Sequence, residues 1–203
     1  MELRDIALAV VVGTAYVRVV AVLIGVIRSA VARSTARTAR FGFVEALAGL
    51  EVVVLAAVAY PVYRAAVDSV NSPIRTAAAL VGAVLAIVYL LLLMAVLGAW
   101  RGVHTGAIVV EEQHLVTSGI YSVIRHPLYT GAFVLWIAVA LANLSIPAAA
   151  IFIIFVMPTY LVYMRHEESM LETAFGDAYR EYSARVPRLL PARWPHRRSQ
   201  PTG

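Results

Sequence analysis

From Ile6 to Ile27 the chain runs through about 22 residues, roughly 33 Å as an α-helix, with a single charge, Arg18. Two more such runs follow: Phe43 to Tyr63, with Glu51 inside it, and Ile74 to Leu97, with no charge after Arg75. Each is long enough to cross a bilayer. Together they are more apolar surface than one small core can hide, since 61% of the 203 residues are apolar against about 45–50% in soluble domains. The first run is too long for a signal-peptide core, and its short leader mixes acidic and basic residues, so it reads as a retained span.

The charges that do occur report topology. Arg28, Arg33, Arg37 and Arg40 crowd the first connection with no acid among them, which makes that loop cytoplasmic and leaves the N-terminus outside. The net charge of +5 comes mostly from arginines in loops and tail, a pattern that suits anionic lipid headgroups rather than nucleic acid. If the first helix descends and the second returns, Arg18 and Glu51 both lie roughly 13–15 Å from the inner face. An isolated charge at that depth is costly, so the two are expected to pair. Such a pair either fixes helix packing or touches a ligand.

Asn71-Ser72-Pro73 is a helix start, a capping hydroxyl followed by proline at the first helical position. The span it opens ends near Gly98. Between Ala99 and Arg125 no long helical period survives, and a connection of that length inside a compact structure is usually functional. Pro127 opens another apolar helix to Ala142; Asn143-Leu144-Ser145-Ile146-Pro147 turns it, and a return arm runs from about Ala148 to Met164, with a kink expected at Pro158. From Glu167 to Tyr182 an amphipathic stripe appears, with Phe175-Gly176-Asp177 as a possible break, glycine closing one helix and Asp177 capping the next. The expected architecture is an all-α membrane protein of five transmembrane helices, the last two a hairpin, followed by a cytoplasmic amphipathic helix. It divides into a three-helix region (1–98), a core (99–191) and a basic tail (192–203) expected to be disordered.

With no cysteine there is no disulfide, thiolate metal site or cysteine nucleophile. No Gly-x-Gly-x-x-Gly or His-Glu-x-x-His is present, and His114 and His126 lack acidic partners at metal spacing, so neither a Rossmann cofactor site nor a metal is expected. What remains is a polar stretch from Gln113 to Tyr129 and a second cluster, Arg165-His166-Glu167-Glu168, at the far end of the hairpin. Ionisable groups beside a membrane are a functional hypothesis by default. Tyr121, Arg125 and Tyr129 recur every four residues and would share a face if the helix continued across Pro127. Such a face offers donors to a carboxylate and rings to a cation, with Glu167 and Glu168 accepting from hydroxyls or an amine. Anchoring in lipid headgroups by the same aromatic and basic residues is the alternative.

Gly119-Ile120-Tyr121-x-x-x-Arg125-His126-Pro127-x-Tyr129-x-Gly131 resembles a signature of the isoprenylcysteine carboxyl methyltransferase family. So does Glu167-Glu168-x-x-Leu171-x-x-x-Phe175-Gly176-x-x-Tyr179-x-x-Tyr182, followed by Val186-Pro187-Arg188 and Pro191. Both halves occur in order, with a hairpin between them. The resemblance covers about Gln113 to Pro191; the first three spans agree with it only in being hydrophobic. It implies a multi-pass methyltransferase of a cell membrane or endomembrane that uses S-adenosylmethionine in a cytosol-facing pocket. Carried over by position, Gln113, His114, Leu115, Val116, Tyr121, His126, Pro127, Leu128, Tyr129 and Glu167 would border the cofactor. A lipid or lipid-modified acceptor would enter from the bilayer.

One position departs from the resemblance. The family usually carries an arginine one helical turn before the first glutamate, to hold an acceptor carboxylate; here that place is Tyr163. Arg165, two residues on, is then the expected counter-charge, with Arg125 as the alternative. For a lipid-amine acceptor a base is needed, and Glu168 or His166 would supply it. The implied reaction is methylation of a prenylated cysteine or similar lipid-linked carboxylate. A phospholipid or small-lipid N-methyltransferase is the alternative, and an NADPH-dependent reductase of sterol or enone type ranks below both, since the stretch from Arg101 to Val116 offers little basic charge for a dinucleotide.

Overall fold

The computed structural model describes residues 2–32, 36–39, 43–99, 108–110 and 115–191, with side chains described for 2–25, 49–99 and 115–191. Helices α1 (Leu3–Ala32), α2 (Phe43–Val67) and α3 (Pro73–Ala99) come first, then a 3₁₀ turn at Gly119–Ser122 and α4 (Pro127–Ala142). Next are α5 (Ile146–Ile151), a π-helical turn at Phe152–Val156, α6 (Met157–Phe175) and α7 (Asp177–Arg185). The expected all-helical architecture gains one short ribbon. Strand β1 (Ala36–Ala39) pairs antiparallel with β2 (Ile108–Val110), which joins the arginine-rich first connection to the stretch ahead of α4.

Among the described residues, four helices are long and apolar enough to cross a membrane: Leu3–Gly25, Gly49–Val67, Pro73–Ala99 and Ile146–Phe175. At 16 residues α4 is shorter. Large apolar side chains on α1–α3 such as Val20, Val53, Val84, Leu91 and Met94 stand exposed, the outward face expected against lipid tails. Inward faces are made of small residues. Ala79, Gly82 and Ala86 lie buried on α3, and Gly82 meets α4: a Cβ on it would overlap that of Ala142 and lie 2.9 Å from the Ala138 carbonyl. Lipid gives helices no hydrophobic reason to associate, so this close approach, and the dispersion contacts it allows, holds the pair.

Local signals explain the ends. Ser72 Oγ accepts from Arg75 N at 3.3 Å with Pro73 as first helical residue, so the start of α3 is where the sequence puts it. At the N-terminal end of α1, Arg4 donates to the Ser69 and Val67 carbonyls at 3.1 and 3.2 Å, tying α1 to the end of α2 and the turn after it.

The return arm differs from expectation. It does not stop at Met164 but continues as one 30-residue helical rod, Ile146–Phe175. Pro158 cannot bond the Ile154 carbonyl and its ring crowds it, and the helix widens into the π turn over Phe152–Val156 instead of ending. The charges at 165–168 therefore extend the return arm rather than begin a new element. The rod closes at Gly176, whose φ of +55° lies in the region glycine tolerates best. Asp177 is the first residue of α7 and not its cap; Gly176 occupies the cap position, with no side-chain bond.

Candidate active site

Pro127 shapes the site first. A residue before proline is pushed out of the α region, and His126 takes φ −122° and ψ 61°. The helix therefore does not continue from Tyr121 through Tyr129, and the shared face expected for Tyr121, Arg125 and Tyr129 does not form. In its place Gly119, at φ +62°, starts the 3₁₀ turn, and the chain then runs irregularly to α4.

That irregular segment leaves backbone donors open, and the chain after α7 fills them. Arg125 N donates to the Pro187 carbonyl at 2.9 Å and His126 N to the Arg188 carbonyl at 3.0 Å. Thr130 Oγ1 donates to the Leu189 carbonyl at 2.9 Å, and the Tyr182 hydroxyl donates to the Tyr121 carbonyl at 2.7 Å. Residues 186–189 thus form a strap across the head of α4. Backbone groups at a helix start require such partners.

The strap also delivers charge. Arg188 donates Nε to Glu168 Oε1 at 3.1 Å and Nη2 to Oε2 at 2.5 Å. Arg125 Nη1 lies 3.1 Å from Glu168 Oε1, and His126 Nε2 lies 3.0 Å from the same oxygen. Glu168, only 10% exposed at its side chain, is thereby committed to two arginines and the His126 ring. Glu167, one residue and about 100° around the helix, reaches the other ring nitrogen: His126 Nδ1 stands 3.6 Å from Glu167 Oε2, which also accepts from the Tyr129 hydroxyl at 2.8 Å. Consecutive glutamates on α6 straddle one buried imidazole. Burial acts to lower the pKa of His126, but the hydrogen bonds and charges of Glu167 and Glu168 outweigh it and hold it above the ordinary histidine value.

About two helical turns deeper lies a second polar group. Arg18 and Glu51 are paired at 2.9 Å and almost wholly buried, as their equal depth in the sequence requires. Tyr160 accepts from Arg18 Nη2 at 2.7 Å and donates to Glu51 Oε2 at 2.8 Å, while the indole of Trp136 donates to Glu51 Oε1. The rings of Tyr129 and Tyr160 are 5.1 Å apart, and Tyr163 meets Tyr129 edge-on at 5.7 Å, so the two polar groups are joined by packed aromatics.

Of the residues singled out from sequence, His126, Tyr129, Glu167 and Glu168 come together, with Pro127 buried beneath them. Leu115 and Val116 are half-buried in irregular chain, and Leu128 is half-buried on α4. Gln113 and His114 lie outside the described residues. Tyr121 contributes its carbonyl to Tyr182. Arg165 is not brought in: it stands exposed, about 200° around α6 from the buried Tyr163. Sequence reasoning missed Arg188 as a partner of Glu168, and Tyr160 and Trp136 as partners of Glu51.

A bundle of long apolar helices with a buried, charge-dense site at the head of α4 defines a multi-pass membrane protein with its chemistry at the edge of the bundle. Residues 74–178, just over half of the chain, match the family model described as phospholipid methyltransferase, and the chain belongs to that family. The match begins at the start of α3, further upstream than the motif resemblance reached. Among curated proteins, the chain is 40% identical over 83 residues to protein-S-isoprenylcysteine O-methyltransferase B of Arabidopsis thaliana, covering 40% of this chain and 42% of that one. The protein-S-isoprenylcysteine O-methyltransferase of Schizosaccharomyces pombe is 31% identical over 81 residues, 40% of this chain and 34% of that one. A probable protein-S-isoprenylcysteine O-methyltransferase of Oryza sativa subsp. indica is 34% identical over 101 residues, 48% and 52% of the two chains. The matches thus span about a third to a half of those relatives.

Proposed function

We propose that this chain is an integral-membrane methyltransferase that moves a methyl group from S-adenosylmethionine to a membrane-borne acceptor carrying a carboxylate, such as a prenylated cysteine. The observation that carries the reading is the buried His126–Glu167–Glu168–Tyr129 cluster within the segment matched by the methyltransferase family. Five spans, the N-terminus outside and the site facing the cytoplasm are part of the proposal, supported by the arginines of the first connection.

The side chains fit such a donor. Glu167 is 24% exposed at its side chain and both of its described contacts engage Oε2, which leaves Oε1 for a hydroxyl or amino group. Arg125 carries a buried Nε without a partner among the described residues, a donor suited to a carboxylate. Tyr129 and His126 fix Glu167, the strap holds Arg125 and His126, and Gln113 to Val116 and Tyr121 would border the same ligand. The chemistry supplied by S-adenosylmethionine is an activated methyl: a carboxylate acceptor takes it by in-line displacement, the bonding pair stays on sulfur, and no proton has to be removed. The protein's task is then alignment and exclusion of water, which can offset roughly 7–11 kcal/mol of a barrier.

An amine acceptor, the reading the family description favours, would need a base. Glu168 is a poor one, since both its oxygens are occupied by Arg125, His126 and Arg188. The test is calorimetry of the purified protein in detergent with S-adenosylhomocysteine, with NADPH as control, followed by labelled methyl transfer to a prenylated cysteine and to phosphatidylethanolamine. Binding of S-adenosylhomocysteine and transfer to the carboxylate are expected. Binding of NADPH alone would overturn the reading, and transfer only to the amine would replace the acceptor.

A further inference from the structure

The deep polar group has a loose end. Glu51 is complete: Trp136 bonds one oxygen, and Arg18 and Tyr160 the other. Arg18 is not. Its side chain is 5% exposed, yet Nε is buried with no acceptor among the described residues. A pair retained only to lock helices has no need to leave a charged donor unmet, because an unmet buried donor is expensive. Glu51 and Tyr160 instead hold the guanidinium at Nη2, the buried Tyr89 hydroxyl also faces it, and Nε is left for something else.

Position says what that could be. Tyr160 lies seven residues, about 10 Å along the helix, from Glu167, and Tyr129 spans the interval with its ring on Tyr160 and its hydroxyl on Glu167. A ligand set held at one end by Glu167 reaches toward Arg18 at the other. Between them stands Tyr163, uncharged and buried, where the motif resemblance leads one to expect a cation, and Arg165 faces away. Among the described cations, Arg125 and Arg188 are bound to Glu168 on the outer side of the site. Arg18 is the one on the inner side.

Resting on the methyl-transfer reading above, we propose that Arg18, presented from α1 and oriented by Glu51 and Tyr160, receives the carboxylate of the acceptor through its Nε edge and thereby selects an anionic acceptor. The charges balance. The Arg18–Glu51 pair is neutral before binding, and a sulfonium donor and a carboxylate acceptor enter as one positive and one negative charge. The Arg18–Glu51 pair and the two substrates together carry no net charge, so neither substrate is left uncompensated in a medium of low dielectric.

The experiment uses the full chain in detergent and compares a prenylated cysteine with its carboxamide, each titrated calorimetrically in the presence of S-adenosylhomocysteine. Wild type is expected to prefer the carboxylate by about tenfold or more, the scale of one hydrogen bond to a charged group. The double variant Arg18→Gln/Glu51→Gln removes both charges and so leaves no bare carboxylate in the bilayer. It is expected to keep S-adenosylhomocysteine affinity while its preference falls to near parity. Arg165→Gln should keep both. Arg18→Lys retains the charge and serves if the double variant does not fold: KM for the carboxylate should rise about tenfold with donor affinity unchanged, because an ammonium cannot hold Glu51 and Tyr160 and also place a donor where Nε stands. Retained preference in the double variant, an unchanged KM in Arg18→Lys, or loss of preference in Arg165→Gln would overturn the assignment. Failure of the wild type to bind S-adenosylhomocysteine would instead overturn the methyl-transfer reading beneath it.

Discussion

Replacing Glu168 by glutamine removes one charge from the centre of three. Glu168 Oε1 takes His126 at 3.0 Å and both Arg125 and Arg188 Nε at 3.1 Å, and Oε2 takes the second Arg188 nitrogen at 2.5 Å. The side chains of Arg125 and His126 are 12% and 5% exposed, so neither group can turn to water when the carboxylate goes. Removing one member of a fully buried pair costs about 3–5 kcal/mol. Here the amide keeps one acceptor oxygen and Arg188 is 49% exposed, so about 2–4 kcal/mol is expected, the lower end weighted by the solvated arginine. The pH dependence adds a second signature. His126 has a raised pKa in the fold, so the stability it contributes is complete below the ordinary histidine value and is lost as pH rises through the raised one. Glu168→Gln takes away one of the two carboxylates that raise it. The variant's deficit should therefore be larger near pH 6 than near pH 9, and the imidazole should titrate lower. Thermal unfolding in detergent across pH, with carbon-labelled histidine followed by NMR, measures both. A deficit under about 0.5 kcal/mol with an unmoved His126 titration would refute the picture of Glu168 as the anchor of this site.

Three further substitutions test other parts of the fold. Tyr129→Phe keeps the ring stack and loses only the bond to Glu167; S-adenosylhomocysteine should bind more weakly by up to about tenfold with stability lowered by about 1 kcal/mol, as calorimetry and unfolding would measure. Gly82→Ala inserts a methyl against Ala142 and the Ala138 carbonyl, so α3 and α4 must move apart, for about 1–3 kcal/mol in unfolding measurements; an unaltered Tm would mean that the contact is not close. Leu144, at the hairpin tip with φ +47°, holds a left-handed conformation that suits glycine better. Leu144→Gly should raise stability, by less than about 1 kcal/mol once glycine's own entropy is subtracted, and a lowered Tm would argue that the leucine side chain matters there.

How much of this was readable beforehand follows physical lines. Pro127 and Asn143 bound α4, and Gly176 closes the rod, because proline and glycine act locally. Arg18 and Glu51 could be paired from sequence because two charges at one depth in apolar runs have few other partners. Their neighbours could not: Trp136 and Tyr160 sit in stretches of sequence apolar all round, where composition gives no phase. The rod's continuation past Met164 was hidden because charges look like an end, although a helix leaving lipid keeps its own backbone bonds. Arg188 was hidden because the strap closes through a contact 20 residues away in sequence and set by tertiary position. Arg165 failed by helical phase, since two residues from Tyr163 turn a side chain to the opposite face.

Phase also separates the adjacent glutamates. Glu168 turns toward Arg125 and Arg188, and its oxygens are filled; Glu167 turns toward Tyr129 and keeps more of its surface open, 24% against 10%. In the proposed reading one carboxylate builds the site and its neighbour binds the donor. Glu167→Gln should accordingly behave unlike Glu168→Gln. It breaks no arginine pair, so stability should fall by only about 1 kcal/mol, the scale of one altered hydrogen bond. Its amide still accepts at one oxygen but cannot attract a cationic or doubly donating group, so S-adenosylhomocysteine affinity should fall by about tenfold or more. Calorimetry and thermal unfolding on the two variants side by side give four values. If affinity and stability fall together in both, the glutamates form one electrostatic unit and the division of labour is wrong. If affinity falls mainly in Glu167→Gln and stability mainly in Glu168→Gln, the single residue of helical offset between them separates binding from folding.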